Sequence, residues 1–518
     1  MSDTFEYPQG PVDDLVRSAA EADPERAAVR TADGELTFAE LDARVDAGAA
    51  ALQAGIAGPG EVVALASPLA PEFVVAFHAV LRAGNVVAPI NPFMREDELR
   101  HLLASTAAPV AILTPGLREQ LPAVRAELPA LRTVIVFGPA DGDVRSFDLL
   151  IAAHLGARPA PRASFDPDDA ACLQFTSGTT GPPKAARLTH RNLMANAAHA
   201  SARHEVTSTS VVFNFLPKYH LLHMNSGLRG RATQVLYTES ERIVASVAAA
   251  NKAGATHYYA IPMRLARLAA APELSILRFD TVRVMASGGS ALPPSVAEKL
   301  TAQFKVPVVQ GYGLAETSSL THSGGPSVDR HGTVGRLVPD TQCRVVDLET
   351  GAVVGPGERG EVQVRGPQVM SGYVNPPDGT VEFTPDGWLP TGDVGLVDAD
   401  GYLYLVDRIK DVFKCDNFMV SPTEIEHALR RRSEVRDCLV VDIPDEFSGA
   451  VAAALISLVP RPGLPDKIQD EIVDAVNSEL PYYKQLRHIE LVTQIPRGSM
   501  GKPDRKHARA LLTGQPVG

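Results

Sequence analysis

A segment rich in hydroxyl groups, glycine and lysine occupies residues 176–184, which read TSGTTGPPK. Glycines allow backbone N–H groups to approach phosphate oxygens closely, hydroxyl groups add donors, and a lysine adds positive charge. The spacing does not satisfy the Walker pattern GxxxxGKS/T, so this is not a P-loop. Polar surface loops often share this composition, so composition alone leaves a phosphate site and a surface loop both open.

An aromatic residue between two glycines follows a predicted strand in residues 310–317, which read QGYGLAET. The ring of Tyr312 can lie flat on a purine because its neighbours are so small. The carboxylate of Glu316 and the hydroxyl of Thr317 suit Mg²⁺ and a phosphate oxygen. A glycine-rich turn after a strand explains the same residues if they are taken alone.

Three isolated residues contribute chemistry only if their surroundings support it. Asp393, in the sequence WLPTGD, can accept hydrogen bonds from a pair of ribose hydroxyls. His220 follows LPKY, and Lys502 follows PRGSMG near the end of the chain, where an ammonium group can stabilise charge on a phosphate. Without that context, these three residues would be a turn residue, a structural histidine and a solvated charge.

The context comes from residues 175–190, FTSGTTGPPKAARLTH, which resemble the signature of the adenylate-forming (ANL) superfamily. This superfamily holds acyl-CoA synthetases, peptide-synthetase adenylation domains and luciferases. Further matches follow in the expected order along nearly the whole chain, which one accidental match does not explain. The resemblance implies an enzyme that couples the cleavage of ATP to AMP and pyrophosphate with activation of a small aromatic or acyl carboxylic acid.

The resemblance also implies a role for each matched residue. The residues implied to bind ATP are Thr176, Ser177, Gly178, Thr179, Thr180, Lys184, Gly289, Gln310, Gly311, Tyr312, Asp393 and Arg408. The residues implied to act in catalysis are Lys502, His220, Thr317 and Glu316. Glu316 and Thr176 would hold Mg²⁺, and Lys502 would stabilise the transition state at the α-phosphate.

The acid pocket departs from the family pattern at two positions. The residues implied to line it are His220, Lys218, Leu222, His223, Ser226, Gly288, Gly313 and Leu314. His220 matches the pocket histidine of the family, whereas His223 replaces a usual glycine and Lys218 replaces a usually apolar residue. The two added ionisable groups either recognise a polar or anionic substrate or simply face water.

The C-terminal half resembles acyl-CoA ligases such as coumarate–CoA ligase, which implies transfer of the acyl group to CoA. Lys410 matches the hinge about which the smaller domain swings. Lys414 and Asn417 lie on the loop expected beside the pantetheine tunnel. Asn417 replaces the family's glycine; it tolerates a left-handed backbone, but with Asp416 it can narrow or repel the approach of the thiol.

This departure leaves other acceptors open. The acyl adenylate can instead pass to an amine or a carrier protein, or ATP can activate nitrite for the diazotisation of an aromatic amine. A regulatory pseudoenzyme is the alternative without catalysis. The presence of Lys502, Glu316, Thr317 and Asp393 together disfavours that alternative.

Alternating strand and helix patterns must position these residues. Residues 62–65, 86–90, 110–113, 282–286 and 306–310 read as buried strands, with helical patterns between them, and residues 41–52 read as a helix. Such βαβ alternation predicts α/β sheets that are parallel and covered by helices on both faces. We expect a large domain, residues 1–409, of two doubly wound sheets with a β-barrel-like subdomain at about 326–405, and a smaller mobile α+β domain, residues 410–518.

The whole chain excludes several classes of protein. Its 518 residues are too many for one core, and its net charge of -12 argues against nucleic acid or anionic membrane as the main partner. The four cysteines form no CxxC pair, and no apolar run reaches the roughly 20 residues of a membrane span. These features predict a soluble cytoplasmic protein. The resemblance implies a small-molecule acid substrate and leaves a carrier protein or a homodimer as a further partner.

Overall fold

The structure, a computed structural model, divides into two compact units. The first unit is Met1–Cys343 with Val364–Leu389, and the second is Arg344–Gln363 with Pro390–Gly518. The structure describes residues 5–140, 144–176, 183–217, 220–239, 242–327, 330–376, 380, 382–416, 418–460, 467–497 and 503–514. In these ranges every helix is too short or too polar to cross a lipid bilayer.

The helices are short to medium in length, and several begin at a hydroxyl residue that caps them. The α-helices are α1 (Asp14–Ala22), α2 (Phe38–Gln53), α3 (Pro71–Arg82), α4 (Glu96–Thr106), α5 (Pro115–Val124), α6 (Phe147–His154), α7 (His190–Arg203), α8 (Leu221–Arg229), α9 (Ile243–Lys252), α10 (Pro262–Ala269), α11 (Pro294–Phe304), α12 (Pro422–Arg430), α13 (Ile468–Asn477) and α14 (Arg505–Thr513). At the start of α7, for example, the Thr189 hydroxyl accepts from the N–H of Asn192, whose side chain accepts from the N–H of Thr189.

The strands are mostly four to six residues long. They are β1 (Ala27–Arg30), β2 (Glu35–Thr37), β3 (Val62–Leu65), β4 (Val86–Pro89), β5 (Val110–Leu113), β6 (Thr133–Val136), β7 (Arg145–Ser146), β8 (Ala170–Phe175), β9 (Ala185–Thr189), β10 (Val211–Phe215), β11 (Thr233–Leu236), β12 (His257–Ala260), β13 (Val284–Gly288), β14 (Val308–Tyr312), β15 (His322–Ser323), β16 (Arg336–Leu337), β17 (Gln342–Val346), β18 (Gly360–Arg365), β19 (Tyr373–Val374), β20 (Leu389–Val397), β21 (Leu403–Arg408), β22 (Phe413–Cys415), β23 (Phe418–Val420), β24 (Val435–Asp445), β25 (Gly449–Leu458) and β26 (Leu486–Leu491).

The first unit is built on two large sheets. One has the strand order β16-β15-β14-β13-β12-β10-β11-β1-β2, and its strands from β10 to β14 pair in parallel. Phe213, Phe215 and Tyr258 cover one of its faces and pack against residues of α9, α10 and α11. Sheets of this kind present the carboxyl ends of their strands to ligands, which places the ends of β13 and β14 at the candidate site.

The other sheet of the first unit carries the segment from which the phosphate loop leaves. Its order is β19-β9-β8-β4-β3-β5-β6-β7, with β4, β3, β5 and β6 parallel. Strands β8 and β9 are antiparallel, with Phe175 opposite Ala185. The loop between them therefore starts and ends at the same point of the sheet.

The second unit contains β21, the elements from β22 to α14, and most of β17, β18 and β20. One sheet has the order β17-β18-β20-β21, and the other has the order β23-β22-β25-β24 with β26 pairing β25. The core of the second sheet is formed by residues such as Val420, Ile425 and Leu429 together with Ala454 and Ile472. Aliphatic side chains at alternate strand positions and on one face of each helix give this α+β packing.

The predicted fold class is confirmed. Residues 110–113 form β5 as expected, and the helical pattern at 41–52 lies within α2. The strands expected at 282–286 and 306–310 are β13 and β14, each of which starts and ends two residues later. The domain boundary expected near Lys410 stays a prediction.

Candidate active site

The base of the phosphate loop is closed by two hydrogen bonds. The N–H of Thr176 donates to the carbonyl of Lys184 at 2.8 Å, and the N–H of Lys184 donates to the Thr176 hydroxyl at 3.0 Å. The hydroxyl of Thr176 and the side chain of Lys184 thus lie at the two ends of one loop. The predicted phosphate-binding residues Ser177, Gly178, Thr179 and Thr180 lie outside the described residues.

Tyr373 joins the end of this loop to the turn that carries Glu316. The ammonium of Lys184 lies 4.3 Å from the centroid of the Tyr373 ring. The Tyr373 hydroxyl donates to Glu316 Oε1 at 2.7 Å. The structure therefore brings together a cation and a carboxylate that are 132 residues apart in the numbering of the chain. Sequence reasoning missed Tyr373, because one aromatic residue in a Gly- and Pro-rich stretch gives no distinctive signal.

The protonation state of Tyr373 follows from its surroundings. Burial raises the pKa of its phenol, and the neighbouring Glu316 charge raises the pKa further. The phenol therefore stays protonated at neutral pH and acts as a hydrogen-bond donor. A donor on one carboxylate oxygen of Glu316 leaves the other oxygen available to a metal.

The ends of β13 and β14 bring two of the predicted glycines together. Gly288 pairs with Gly311, and a Cβ added to Gly288 would lie 3.2 Å from the Gly311 carbonyl oxygen. Gln310 accepts from the N–H of Leu292 through its side-chain oxygen at 2.8 Å, which orients the amide. Gly289 has φ +83°, a backbone conformation that glycine adopts without strain. Two closely packed strand ends therefore meet here, and Gly289 just beyond β13 faces open space.

The turn after Tyr312 is held by its own residues. The Thr317 hydroxyl accepts from the N–H of Leu314 at 2.8 Å and donates to its carbonyl at 3.2 Å. A Cβ added to Gly313 would lie 2.4 Å from the backbone of Ser319, so only glycine fits there. Thr317 is buried and its hydroxyl closes the turn, which fixes the direction in which Glu316 projects.

The predicted acid-pocket residues lie at the start of α8. The rings of His220 and His223 are 5.5 Å apart, and the His223 ring lies 4.2 Å from the ring of Tyr259. Burial holds the pKa of His223 well below its usual value. His223 is therefore a neutral imidazole, and the residue is partly exposed. Lys218, the other departure from the family pattern, lies outside the described residues.

The hydrogen bonds around Tyr259 define the tautomer of His204. Ser323 donates to the Gly324 carbonyl at 2.9 Å, so its oxygen accepts from His204 Nε2 at 3.0 Å. His204 Nδ1 consequently accepts from the Tyr259 hydroxyl at 2.9 Å. Burial lowers the pKa of His204 to about 3, which keeps the ring neutral.

Two further predicted lining residues are buried. Leu222 packs with Ala200, Leu320 and Val338. The Ser226 hydroxyl donates to the carbonyl of His223 at 3.3 Å. Both residues therefore hold α8 in place in this structure.

The second unit pairs the two predicted ribose-binding residues. Asp393 lies opposite Arg408 on β20 and β21, and the Arg408 guanidinium contacts Asp393 Oδ1 at 2.6 Å. Burial lowers the pKa of Lys410, the predicted hinge residue. Lys414 forms an exposed ion pair with Glu349 at 2.9 Å. Two predictions for this unit, Asn417 and Lys502, lie outside the described residues.

The residues on either side of the predicted catalytic lysine are firmly attached. Arg497 forms a β-bridge with Pro503, and the N–H of Asp504 donates to the Pro496 carbonyl at 3.0 Å. At the start of α14, Arg505 contacts Glu426 at 2.7 Å. The ends of the segment that carries Lys502 are therefore fixed to the body of the second unit.

Comparisons with known proteins identify the family of this chain. The model of the AMP-binding enzyme family matches residues 16–374, and that of the AMP-binding enzyme C-terminal domain matches residues 424–502. The chain therefore belongs to the AMP-binding enzymes. It is an AMP-forming ligase of the ATP-dependent adenylate-forming superfamily and resembles acyl-CoA synthetases.

Individual relatives cover almost the whole chain. The long-chain-fatty-acid–CoA ligase of Salmonella typhimurium is 33% identical over 536 residues, covering 95% of this chain and 94% of the relative. The 4-coumarate–CoA ligase 3 of Oryza sativa is 31% identical over 491 residues, covering 92% and 87%. The crystal structure of ATP-bound MatB from Rhodopseudomonas palustris superposes with a TM-score of 0.87 at 27% identity, covering 97% and 99%.

Proposed function

We propose that this chain uses ATP and Mg²⁺ to adenylate a small aromatic or acyl carboxylic acid and then transfers the acyl group to CoA. The observation that carries the proposal is the joining of Lys184 and Glu316 through Tyr373 beside the phosphate loop. Adenylation needs a cation for the phosphates and a carboxylate for the metal that accompanies them. The two CoA ligases named above support the second step.

In the first half-reaction a carboxylate oxygen of the acid attacks the α-phosphorus of ATP. The new O–P bond forms as the bond to the bridging oxygen breaks, and pyrophosphate leaves with that electron pair. Lys184 would offset phosphate charge near the loop. Lys502 would stabilise the charge that builds on the α-phosphate in the transition state.

Glu316 and Thr176 fit a magnesium ion. Both offer oxygen, the ligand atom that Mg²⁺ prefers, and proteins usually bind this ion through one or two carboxylates together with phosphate oxygens and water. When bound, the ion would neutralise charge on the phosphates. Tyr373 occupies one oxygen of Glu316, so the carboxylate would offer its other oxygen.

In the second half-reaction the sulfur of CoA would attack the acyl carbonyl. The C–S bond forms, the C–O bond to AMP breaks, and the thiol proton passes to solvent. A carrier protein, a second copy of the chain and a cytoplasmic location stay predictions.

The described part of this pocket is polar. His223 is half-buried, His204 is buried and both rings are neutral, so these two residues offer hydrogen bonds and ring contacts rather than positive charge. An acid with one carboxylate and an uncharged aromatic or acyl body suits such a wall better than an acid with a second anionic group.

A substrate screen tests the acceptor. The protein is incubated with ATP, Mg²⁺ and a panel of aromatic and acyl acids, and AMP is measured with and without CoA. We expect CoA to accelerate AMP release and to appear as a thioester. Parallel reactions with an amine, or with nitrite and an aromatic amine, identify the other acceptors. AMP release that CoA leaves unchanged for every accepted acid would overturn the proposal.

Lys502→Ala tests the adenylation step. The substitution is expected to lower the rate of AMP formation by about 10²–10³-fold while ATP still binds, because the lysine would act mainly in the transition state. Lys506→Ala, which changes an exposed lysine four residues further on, is the matched control and should keep full activity. Undiminished AMP release by Lys502→Ala would refute the role of that lysine.

A further inference from the structure

Tyr373 is anchored to the strand that leaves the phosphate loop. It lies on β19, opposite Ala186 of β9, and the N–H of Arg187 donates to the Gly372 carbonyl at 2.8 Å. Its own N–H donates to Glu382 Oε1 at 3.0 Å. The backbone of Tyr373 is thus fixed relative to Lys184, the residue immediately before β9.

The side chain of Tyr373 has two ends with two different partners. Its ring face lies beneath the ammonium of Lys184, at 4.3 Å from the centroid, which is a cation–π contact. Its hydroxyl donates to Glu316 Oε1 at 2.7 Å, a short, charge-assisted hydrogen bond. One rigid side chain therefore contacts both charged groups.

Glu316 is held from a second direction as well. Its backbone carbonyl accepts from the N–H of Met370 at 2.7 Å, three residues before Tyr373. The same short segment therefore fixes both the backbone and the carboxylate of Glu316. Rigid support of this kind is what keeps a ligand residue in the geometry that a metal requires.

The arrangement also keeps two opposite charges apart. Lys184 and Glu316 are flexible side chains, and a direct ion pair between them would consume both the charge for the phosphates and the carboxylate for the metal. The structure shows no such pair between these two described residues; the aromatic ring of Tyr373 lies at Lys184 and its hydroxyl at Glu316 instead.

We propose that Tyr373 is a positioning residue for magnesium-bound ATP, which presents Glu316 to the metal through its hydroxyl and holds Lys184 for the phosphates through its ring. This inference rests on the proposed function, since it assumes that ATP and Mg²⁺ bind beside the phosphate loop. The two ends of the side chain act under different conditions. The hydroxyl affects ATP binding only when the metal is present, whereas the ring affects ATP binding with or without the metal.

The analogue α,β-methylene ATP is not cleaved between its α- and β-phosphates. Its binding therefore separates the effects of the hydroxyl and the ring without turnover. Its affinity is measured by calorimetry in excess Mg²⁺ and again in EDTA. Tyr373→Phe keeps the ring and is expected to weaken binding about tenfold in Mg²⁺ while leaving binding in EDTA unchanged. Tyr373→Leu removes the ring and is expected to weaken binding in both conditions.

Tyr7→Phe is the matched control, because the Tyr7 hydroxyl also donates to a carboxylate, Asp340 Oδ2, at 2.8 Å. It is expected to bind the analogue like the wild type. In a background of Glu316→Gln, Tyr373→Phe should cause no further loss in Mg²⁺, since the two residues act as one unit. Circular dichroism of each variant verifies that it folds.

Three outcomes would contradict the role of Tyr373. These are unchanged affinity of Tyr373→Phe in Mg²⁺, an equal loss with and without the metal, and a full further loss in the Glu316→Gln background. Wild-type protein that fails to bind the analogue in either condition would contradict the proposed function itself. The two failures are therefore distinguishable.

Discussion

Buried histidines give the first unit a pH dependence that follows from single residues. His204 accepts from Tyr259 and donates to Ser323, and burial lowers its pKa to about 3. The unfolded chain, with a histidine pKa near 6.5, binds a proton before the folded chain does as the pH falls. The contribution of His204 to the free energy of unfolding is therefore fully present above about pH 6.5 and is lost progressively below it.

Replacing His204 measures this effect. His204→Gln removes the titrating group, so its free energy of unfolding should fall less than that of the wild type between pH 8 and pH 5. The expected difference is about 2 kcal/mol, because pH 5 lies about 1.5 units below the histidine pKa of the unfolded chain. Urea unfolding at several pH values provides the measurement. His488→Gln, at an exposed position on β26, is the control, and a profile of His204→Gln parallel to the wild type would contradict the prediction.

Single residues also mark how far the sequence can predict a site. Thr176, Lys184 and Glu316 were found from motifs, because hydroxyl, ammonium and carboxylate groups at those spacings predict phosphate and metal chemistry. Their physical link, Tyr373, was missed, since its importance comes from a pairing between β19 and β9 that no local pattern encodes. His223 was found as a departure from the family pattern, but its ring contact with Tyr259 arises only in the fold.

At the scale of elements, glycine explains why two strand positions were misjudged. The apolar patterns were expected to end at residues 286 and 310, whereas β13 continues to Gly288 and β14 continues to Tyr312. The ladder persists because Gly288 lies opposite Gly311, where side chains would crowd the pairing. Hydrophobic periodicity detects buried strands, but it does not detect a strand end that contains polar residues and glycine.

The turn after β14 offers a test of this close packing. Gly313→Ala would place a Cβ 2.4 Å from the backbone of Ser319, so we expect a loss of about 1–3 kcal/mol in stability and weaker ATP binding as the turn shifts. Gly116→Ala is the control, because Gly116 lies in α5 with no atom within 4 Å of an added Cβ. Urea unfolding measures the stability of both variants, and calorimetry measures their ATP binding. A Gly313→Ala protein with the stability and the ATP affinity of the wild type would refute the prediction.

At the scale of the whole molecule, the loop predicted to lie beside the path of CoA connects β22 and β23 of the second unit. Cys415 pairs with Phe418, so β22 and β23 are joined by two residues, Asp416 and Asn417. Asp416 has φ 49°, in the left-handed region that two-residue hairpin turns favour. We expect the replacement of the family's glycine by Asn417 to bear on what approaches the hairpin.

Asn417→Gly tests whether this turn limits the second half-reaction. The substitution is expected to leave adenylation unchanged and to raise the rate of thioester formation several-fold, because it removes a side chain from the expected path of the thiol. Asp416→Asn separates charge from bulk, since it keeps the shape of the turn but removes the carboxylate. Pre-formed acyl adenylate, mixed with CoA in a stopped-flow experiment, isolates the step. If Asn417→Gly leaves the thioester rate unchanged, the departure at this position does not restrict CoA, and the selection of the acceptor must arise elsewhere.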